Sequence, residues 1–200
     1  MTRTKMHVIS EQLSGLHFLN SAIKKFPKWK EFYEKYFGIE LGKLNLPENR
    51  DLGRTIVMPI GLTLNTVYDV CEKYFPCHKD VKNLDAFVIS ERDSVKSTYS
   101  IMVKNVIESD EVYINSADEI SRRNSVKNIR GITLLERMVM ELEYFDETGK
   151  HLDNHHVSLC FGSRGQNRKV PGTLWDDGKF KIVFERLRLC RGLQFRKVIY

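Results

Sequence analysis

The stretch from Ile129 to Trp175 constrains the fold most, because it dictates a helix start, a helix face, a helix stop and the strands that follow. Thr133 is followed three residues later by Glu136, so hydroxyl and carboxylate can reciprocally satisfy the free amides of a first turn, and a helix is expected to begin at Thr133. Leu135, Met138, Val139, Leu142 and Phe145 recur at intervals of three and four, which sets them on one core face, while Glu136, Arg137, Glu141 and Glu143 mostly occupy the other. Gly149 supplies the left-handed residue that closes a helix, with Lys150 beside its negative end, so the helix stops by about Thr148. His156 to Phe161 then reads as a strand and the polar, glycine-rich run from Gly162 to Lys169 as a loop. Thr173 to Trp175 reads as the next strand, and Asp176-Asp177-Gly178 as a turn into another.

The order and spacing of several runs in this stretch resemble those of a family of small bacterial proteins. The runs are Gly131-Ile132-Thr133-Leu134-Leu135-Glu136-Arg137, Glu147-Thr148-Gly149-Lys150-His151-Leu152-Asp153, Cys160 with Gly162-Ser163-Arg164, Val170-Pro171 and Trp175. The resemblance covers roughly residues 26 to 175 and implies a shared fold; no activity comes with it. After Trp175 the chain is more basic than the family pattern, so a function built on the C-terminal charges would be peculiar to this protein.

Two hundred residues are enough to bury a core in one domain or two small ones. With 42% apolar and 29% charged residues, no run of eighteen apolar residues and no cationic leader before an apolar core, the chain is expected to be globular, cytoplasmic and without a membrane partner. Cys71, Cys77, Cys160 and Cys190 are sparse, and three of them sit among apolar or aromatic neighbours, so reduced thiols are expected. Neither Cys71, Cys77 and His78 nor His151, His155, His156 and Cys160 has the paired short spacings of a structural zinc site, so neither a metal nor any other cofactor is expected.

The net charge of +6 is uneven: residues 164 to 200 hold 10 basic and 3 acidic side chains, against 11 and 15 in residues 76 to 163. That concentration favours a polyanionic partner, nucleic acid or a nucleoprotein complex first and an acidic protein surface second, against the bland reading of a solvated surface. From Lys179 the pattern alternates, with Phe180, Ile182 and Phe184 on one side and Lys179, Lys181 and Glu185 on the other. The phase then slips near Glu185 to Leu187, after which Arg186, Arg188 and Arg196 are expected outside. Lys179, Lys181, Arg186, Arg188 and Arg196 are therefore the candidate nucleic-acid contacts.

Upstream, a helix opens at Ser10, and Pro27 starts a second whose Trp29, Phe32, Tyr33, Tyr36 and Phe37 read as core more than as a base-stacking surface. The loop from Glu40 to Gly53 is the one plausible boundary, dividing a helical pair at residues 1–53 from an α+β domain at 54–200. Thr55 to Ile60 is a strand whose Pro59 argues for an edge or an end; Gly61-Leu62-Thr63-Leu64 leads into a helix through Val67, Val70, Cys71 and Tyr74, Ala86 to Ser90 is a strand, and Ala117 to about Asn124 a short helix.

Gly61-Leu62-Thr63-Leu64 with Tyr74-Phe75 echoes Gly131-Ile132-Thr133-Leu134 with Tyr144-Phe145 at a constant offset of 70 residues. The echo points to a duplicated helix-strand-strand unit at about 54–123 and 124–200. Each copy carries an arginine turn after its first strand. The second has the composition of an anion nest, and Arg92, Ser163, Arg164, Arg168 and Lys169 are the candidate anion- or partner-binding residues. No Gly-Lys-Ser/Thr follows, and Ser163 lacks the strand-to-helix elbow of a nucleophile, so no catalytic residue is assigned.

The expectation is an α+β fold, a mostly antiparallel sheet with helices on one face. Its leading function is that of a non-enzymatic accessory protein contacting nucleic acid or a nucleoprotein partner. A small enzyme acting on a phosphorylated substrate between Arg92 and Arg164, and a structural protein-binding module, stand beside it.

Overall fold

A computed structural model of the protein describes residues 28–42, 53–92, 94–112, 130–166, 169–186 and 193–199. The chain divides into two compact units, Met1–Leu46 and Pro47–Tyr200. In the first, residues 28–37 form helix α1, closed by Gly38 at φ 64°. Trp29, Phe32, Tyr33 and Tyr36 are buried, and Trp29 stacks on Tyr33 at 5.6 Å and meets Phe32 edge-on at 5.2 Å. Rings packed on one another in this way are core and present no faces to a nucleic-acid base. The helices expected from Ser10 and over 117–124 lie outside the described residues.

The second unit runs β1 (Arg54–Met58), α2 (Leu64–Tyr74), β2 (Cys77–Lys79), α3 (Leu84–Phe87), β3 (Val88–Ser90), β4 (Tyr99–Val103), β5 (Asp110–Val112) and β6 (Arg130–Gly131). It continues with α4 (Leu134–Thr148), β7 (Ser158–Leu159), β8 (Ser163–Gly165), β9 (Val170–Asp176), β10 (Lys179–Glu185), β11 (Leu193–Phe195) and β12 (Lys197–Ile199). One sheet has the order β1-β4-β12-β6, a second β2-β10-β9-β7-β11-β5, and β3 pairs with β8 as a separate ribbon. Every ladder is antiparallel except β10 with β2 and β11 with β7, so the class is α+β. β1 lies at a sheet edge, as Pro59 suggests. The turn between β9 and β10 has positive φ at both Asp177 and Gly178, the twist a two-residue hairpin needs.

Helix α4 starts and stops as its sequence dictates. Thr133 is the N-cap, both halves of the capping box form, and Gly149 at φ 66° ends the helix. Its polar face does not reach solvent, however: every residue from Leu134 to Tyr144 is buried, Glu136, Arg137, Glu141 and Glu143 included. The helix packs against α2, against β1 of one sheet and against β9 of the other. A helix enclosed on all sides must find internal partners for its charges, because an unpaired buried ion costs several kcal/mol.

The segment after α4 also departs from expectation. The strand expected over His156–Phe161 is confined to Ser158–Leu159, and β9 begins at Val170 rather than Thr173. Ser163–Gly165, in the expected loop, is strand β8 because Val88–Ser90 pairs with it, a remote partner that its polar composition does not reveal. Ala86 and Phe87 belong to the short helix α3, leaving β3 only Val88–Ser90 of the strand expected from Ala86.

The 70-residue echo survives at helix starts, where Thr63 caps α2 as Thr133 caps α4. The ladders differ: β4 pairs with β1, whereas β9, the strand at the equivalent place, pairs with β7 and β10 while β6 takes β12. Between β10 and β11, residues 187–192 lie outside the described residues, and the phase slip falls partly there.

Candidate functional site

The charges on α4 are matched from four other parts of the chain. Arg92 grips Glu136, Nε to Oε1 at 2.7 Å and Nη2 to Oε2 at 2.9 Å, and Nη2 also donates to the Gly131 carbonyl at 2.7 Å. Glu136 accepts besides from Tyr99 Oη at 3.0 Å and from the Thr133 amide at 2.8 Å. Burial opposes the charge on Arg92, but the Glu136 carboxylate outweighs it and raises the guanidinium pKa. Arg137, fully buried, donates to Glu141 at 2.8 Å and through Nε and Nη2 to Asp153 at 3.0 and 2.8 Å. Glu141 also meets Nδ1 of His151 at 2.9 Å, whose ring lies 3.3 Å from that of Trp175, and Arg54 pairs with Glu143 and Glu147.

Arg196 completes this network and corrects an expectation. Sequence phase placed it outside, but it is buried, with Nη2 2.7 Å from Asp153 and with the Val106 and Ile107 carbonyls at 2.9 and 2.6 Å. Asp153 is an internal carboxylate with two oxygens, and Arg137 binds one of them, so the other holds a second guanidinium. A side chain spent in this way is no surface contact for nucleic acid.

A cleft of about 820 Å³ lies beside the start of α2 and along β3. Its floor includes Leu62, Leu64, Val88 and Leu135, while Ser90, Arg92, Lys96 and Tyr99 supply polar groups. Ile89, 80% exposed, and Val95, 51% exposed, line it, and the exposed Ile60 adjoins through the Gly61 amide bonded to the Ser94 carbonyl at 3.0 Å.

β3 also has an open edge, since its only partner among the described residues is β8. Glu91 donates its amide to Gly162 at 2.8 Å, and Gly165 turns its own amide to Lys169 at 2.7 Å. Pairs alternate along an antiparallel ladder, so Ile89 with Arg164 is hydrogen-bonded, while Val88 with Gly165 and Ser90 with Ser163 are not. The backbone of Ser90 and the carbonyl of Val88 therefore face away from β8. The Val88 amide is used within α3's cap, on the Leu84 carbonyl.

Of the expected binding residues, only Arg92 lines this cleft. Ser163 is buried, accepting the Leu134 amide at 2.9 Å and lying 2.7 Å from Ser90 Oγ. Arg164 donates from Nη1 to the carbonyls of Phe161 and Ser163, both at 2.7 Å, and burial lowers its pKa. The two arginine turns are adjacent, with a Cβ on Gly162 falling 3.1 Å from Arg92 Nη2, but Ser163 and Arg164 do not line the cleft that Arg92 lines. Both guanidinium groups are held by protein oxygens, Arg92 by Glu136 and the Gly131 carbonyl and Arg164 by the Phe161 and Ser163 carbonyls.

Arg168 and Arg188 lie outside the described residues, and Lys169 is half-buried. Lys179 and Arg186 are exposed, and Lys181 on β10 contacts Asp176 at 2.5 Å. Ser90, Ile89 and Lys96 were missed, because nothing in the local sequence says that a three-residue strand would border a cleft.

Burial pushes the thiols of Cys77 and Cys160 up to about 12 and that of Cys71 well above its ordinary range, so these thiols are protonated and inert at neutral pH. Among the described residues no group of three His, Cys, Asp or Glu is placed to hold a metal ion, and no helix is long and apolar enough to cross a membrane. Compared with protein-family models, curated proteins and solved structures, the chain finds no match.

Proposed function

We propose that the protein is a non-enzymatic binding module that holds an extended segment of a partner protein along β3. The observation that carries this reading is the coincidence of three features: the β3 edge that no described strand covers, the cleft beside it with its apolar floor, and the exposed Ile60, Ile89 and Val95. An added strand supplies the backbone donors and acceptors that an edge lacks, and its side chains meet the floor of the cleft. Binding is favoured over chemistry on a phosphorylated substrate because Arg92 is neutralised by Glu136 and the described thiols are protonated. On this reading the resemblance to small bacterial proteins is one of scaffold, since Glu136, Arg137, Asp153, Cys160 and Ser163 are all buried.

The test is titration of isotope-labelled protein with acetyl-Val-Thr-Val-amide, followed by backbone amide shifts. Shifts confined to residues 88–92 and 95–97, abolished by Ile89→Lys, are expected. Amides there that stay unmoved at millimolar peptide would remove the reading.

Nucleic acid remains a second reading, favoured by the cations along β10 and its parallel neighbour β2: Lys179, Lys181 and Arg186, with His78 opposite Lys181. Asp176 holds one of the cations, at 2.5 Å from Lys181, which weakens the field. Three phosphate contacts would lower affinity for a duplex roughly 40-fold between 50 and 200 mM salt. A salt-insensitive band shift, or one unchanged in a Lys179→Glu, Lys181→Glu double variant, would remove this reading. An acidic protein surface would show the same salt response without competition by oligonucleotide.

A further inference from the structure

We infer that the cleft recognises a free C-terminal carboxylate, held by the hydroxyl of Ser90 and the ammonium of Lys96; this rests on the strand-addition reading of β3. Ser163 Oγ is buried, accepts the Leu134 amide at 2.9 Å and has Ser90 Oγ as its other neighbour at 2.7 Å. If Ser90 donated to Ser163, the Ser163 proton would be left buried with no acceptor. Ser163 therefore donates to Ser90, and the proton of Ser90 is free to point into the cleft that Ser90 lines. The chain from amide to Ser163 to Ser90 runs in one direction and strengthens its last donor.

A second donor comes from the ladder. Ser90 is in a non-hydrogen-bonded pair with Ser163, so its amide faces the open edge of β3, on the same residue as the directed hydroxyl. Two donors on one residue suit an oxygen that accepts twice, and a carboxylate does so better than a peptide carbonyl because it is charged. The charge is matched by Lys96, which is exposed, lines the same cleft and makes no ion pair with any described residue. Glu136 holds Arg92, so it contributes little net attraction there; of the two carboxylates in the lining, Asp85 is occupied by the amides of Leu64 and Asn65 at 2.7 and 3.3 Å, and Glu91 has Oε2 3.7 Å from Arg92 Nη1. The last apolar side chain of the bound segment would then rest on Leu62, Val88 and Leu135.

The experiment compares acetyl-Val-Thr-Val as the free acid with its amide, by amide shifts on the full chain. The acid is expected to bind at least tenfold more tightly and to move the amides of Ser90, Glu91 and Lys96. Lys96→Met, at an exposed side chain, and Ser90→Ala, which also takes the acceptor from the buried Ser163 hydroxyl and is therefore read only where its melting temperature matches wild type, are each expected to erase most of that preference. Ser163→Ala is expected to weaken it too, but it also strips a partner from the Leu134 amide, so the first two variants decide. Equal affinity for acid and amide, or a preference that survives both variants, overturns the carboxylate inference and leaves strand addition standing. No shift with either peptide overturns both.

Discussion

Arg137 illustrates how a residue read as part of a helix's polar face becomes the least replaceable side chain of the core. It is fully buried and holds Glu141 and Asp153 at once; burial works against its charge, and the two carboxylates more than offset that, raising its pKa. Arg137→Met leaves both acids with one cation fewer and is expected to cost about 3–5 kcal/mol, measured by urea unfolding. Arg164→Ala removes bonds to two carbonyls at a half-buried site and is expected to cost under about 1 kcal/mol. A large loss there would assign Arg164 a structural role instead. The thiols give a pH test. Cys160 has a folded pKa pushed up to about 12 by burial, against about 8.5 unfolded, so the folded state retains a proton that the unfolded chain releases. Its contribution is complete below about pH 8.5 and is lost as pH rises toward 12, at about 1.4 kcal/mol per pH unit. Stability that rose over that interval in wild type relative to Cys160→Ala would contradict the assignment.

At the scale of the element, helix α4 divides what is local from what is not. Its cap, length and stop follow from Thr133, Glu136 and Gly149, because each acts on backbone groups within four residues. Thr133→Ala is expected to cost about 1–2 kcal/mol, while the burial of Glu136 and Glu141 depends on α2 and two sheets that no window of α4 contains. The crossing of β6 with the start of β8 is equally non-local. A Cβ on Gly162 would lie 2.6 Å from the Gly131 carbonyl oxygen, so Gly162→Ala must push backbone apart and is expected to lower the melting temperature far more than Gly42→Ala, where a Cβ meets nothing within 4 Å. Comparable melting temperatures for the two variants would mean that the close approach relaxes freely.

In the whole molecule the last strands interleave both sheets: β11 lies between β7 and β5, β12 between β4 and β6, and Arg196 between them reaches Asp153. Deleting residues 193–200 takes a strand from inside each sheet, so the truncated chain is expected to lose cooperative urea unfolding; a normal transition would show the tail to be dispensable. Sequence alone determined the α+β class, the ends of α4, the β9–β10 hairpin and the aromatic packing of α1, since periodicity, caps and turn residues act through the nearest few positions. It placed Arg92 and Arg164 in neighbouring turns but not their guanidinium groups, and it left Arg196 in solvent. Only the tertiary structure decided which charges were spent inside and that β3 has β8 as its one partner among the described residues. A buried ion is held by whichever partner the fold delivers, Arg137 by Asp153 16 positions away and Glu143 by Arg54 89 positions away, and an edge is open only when every other strand has been placed.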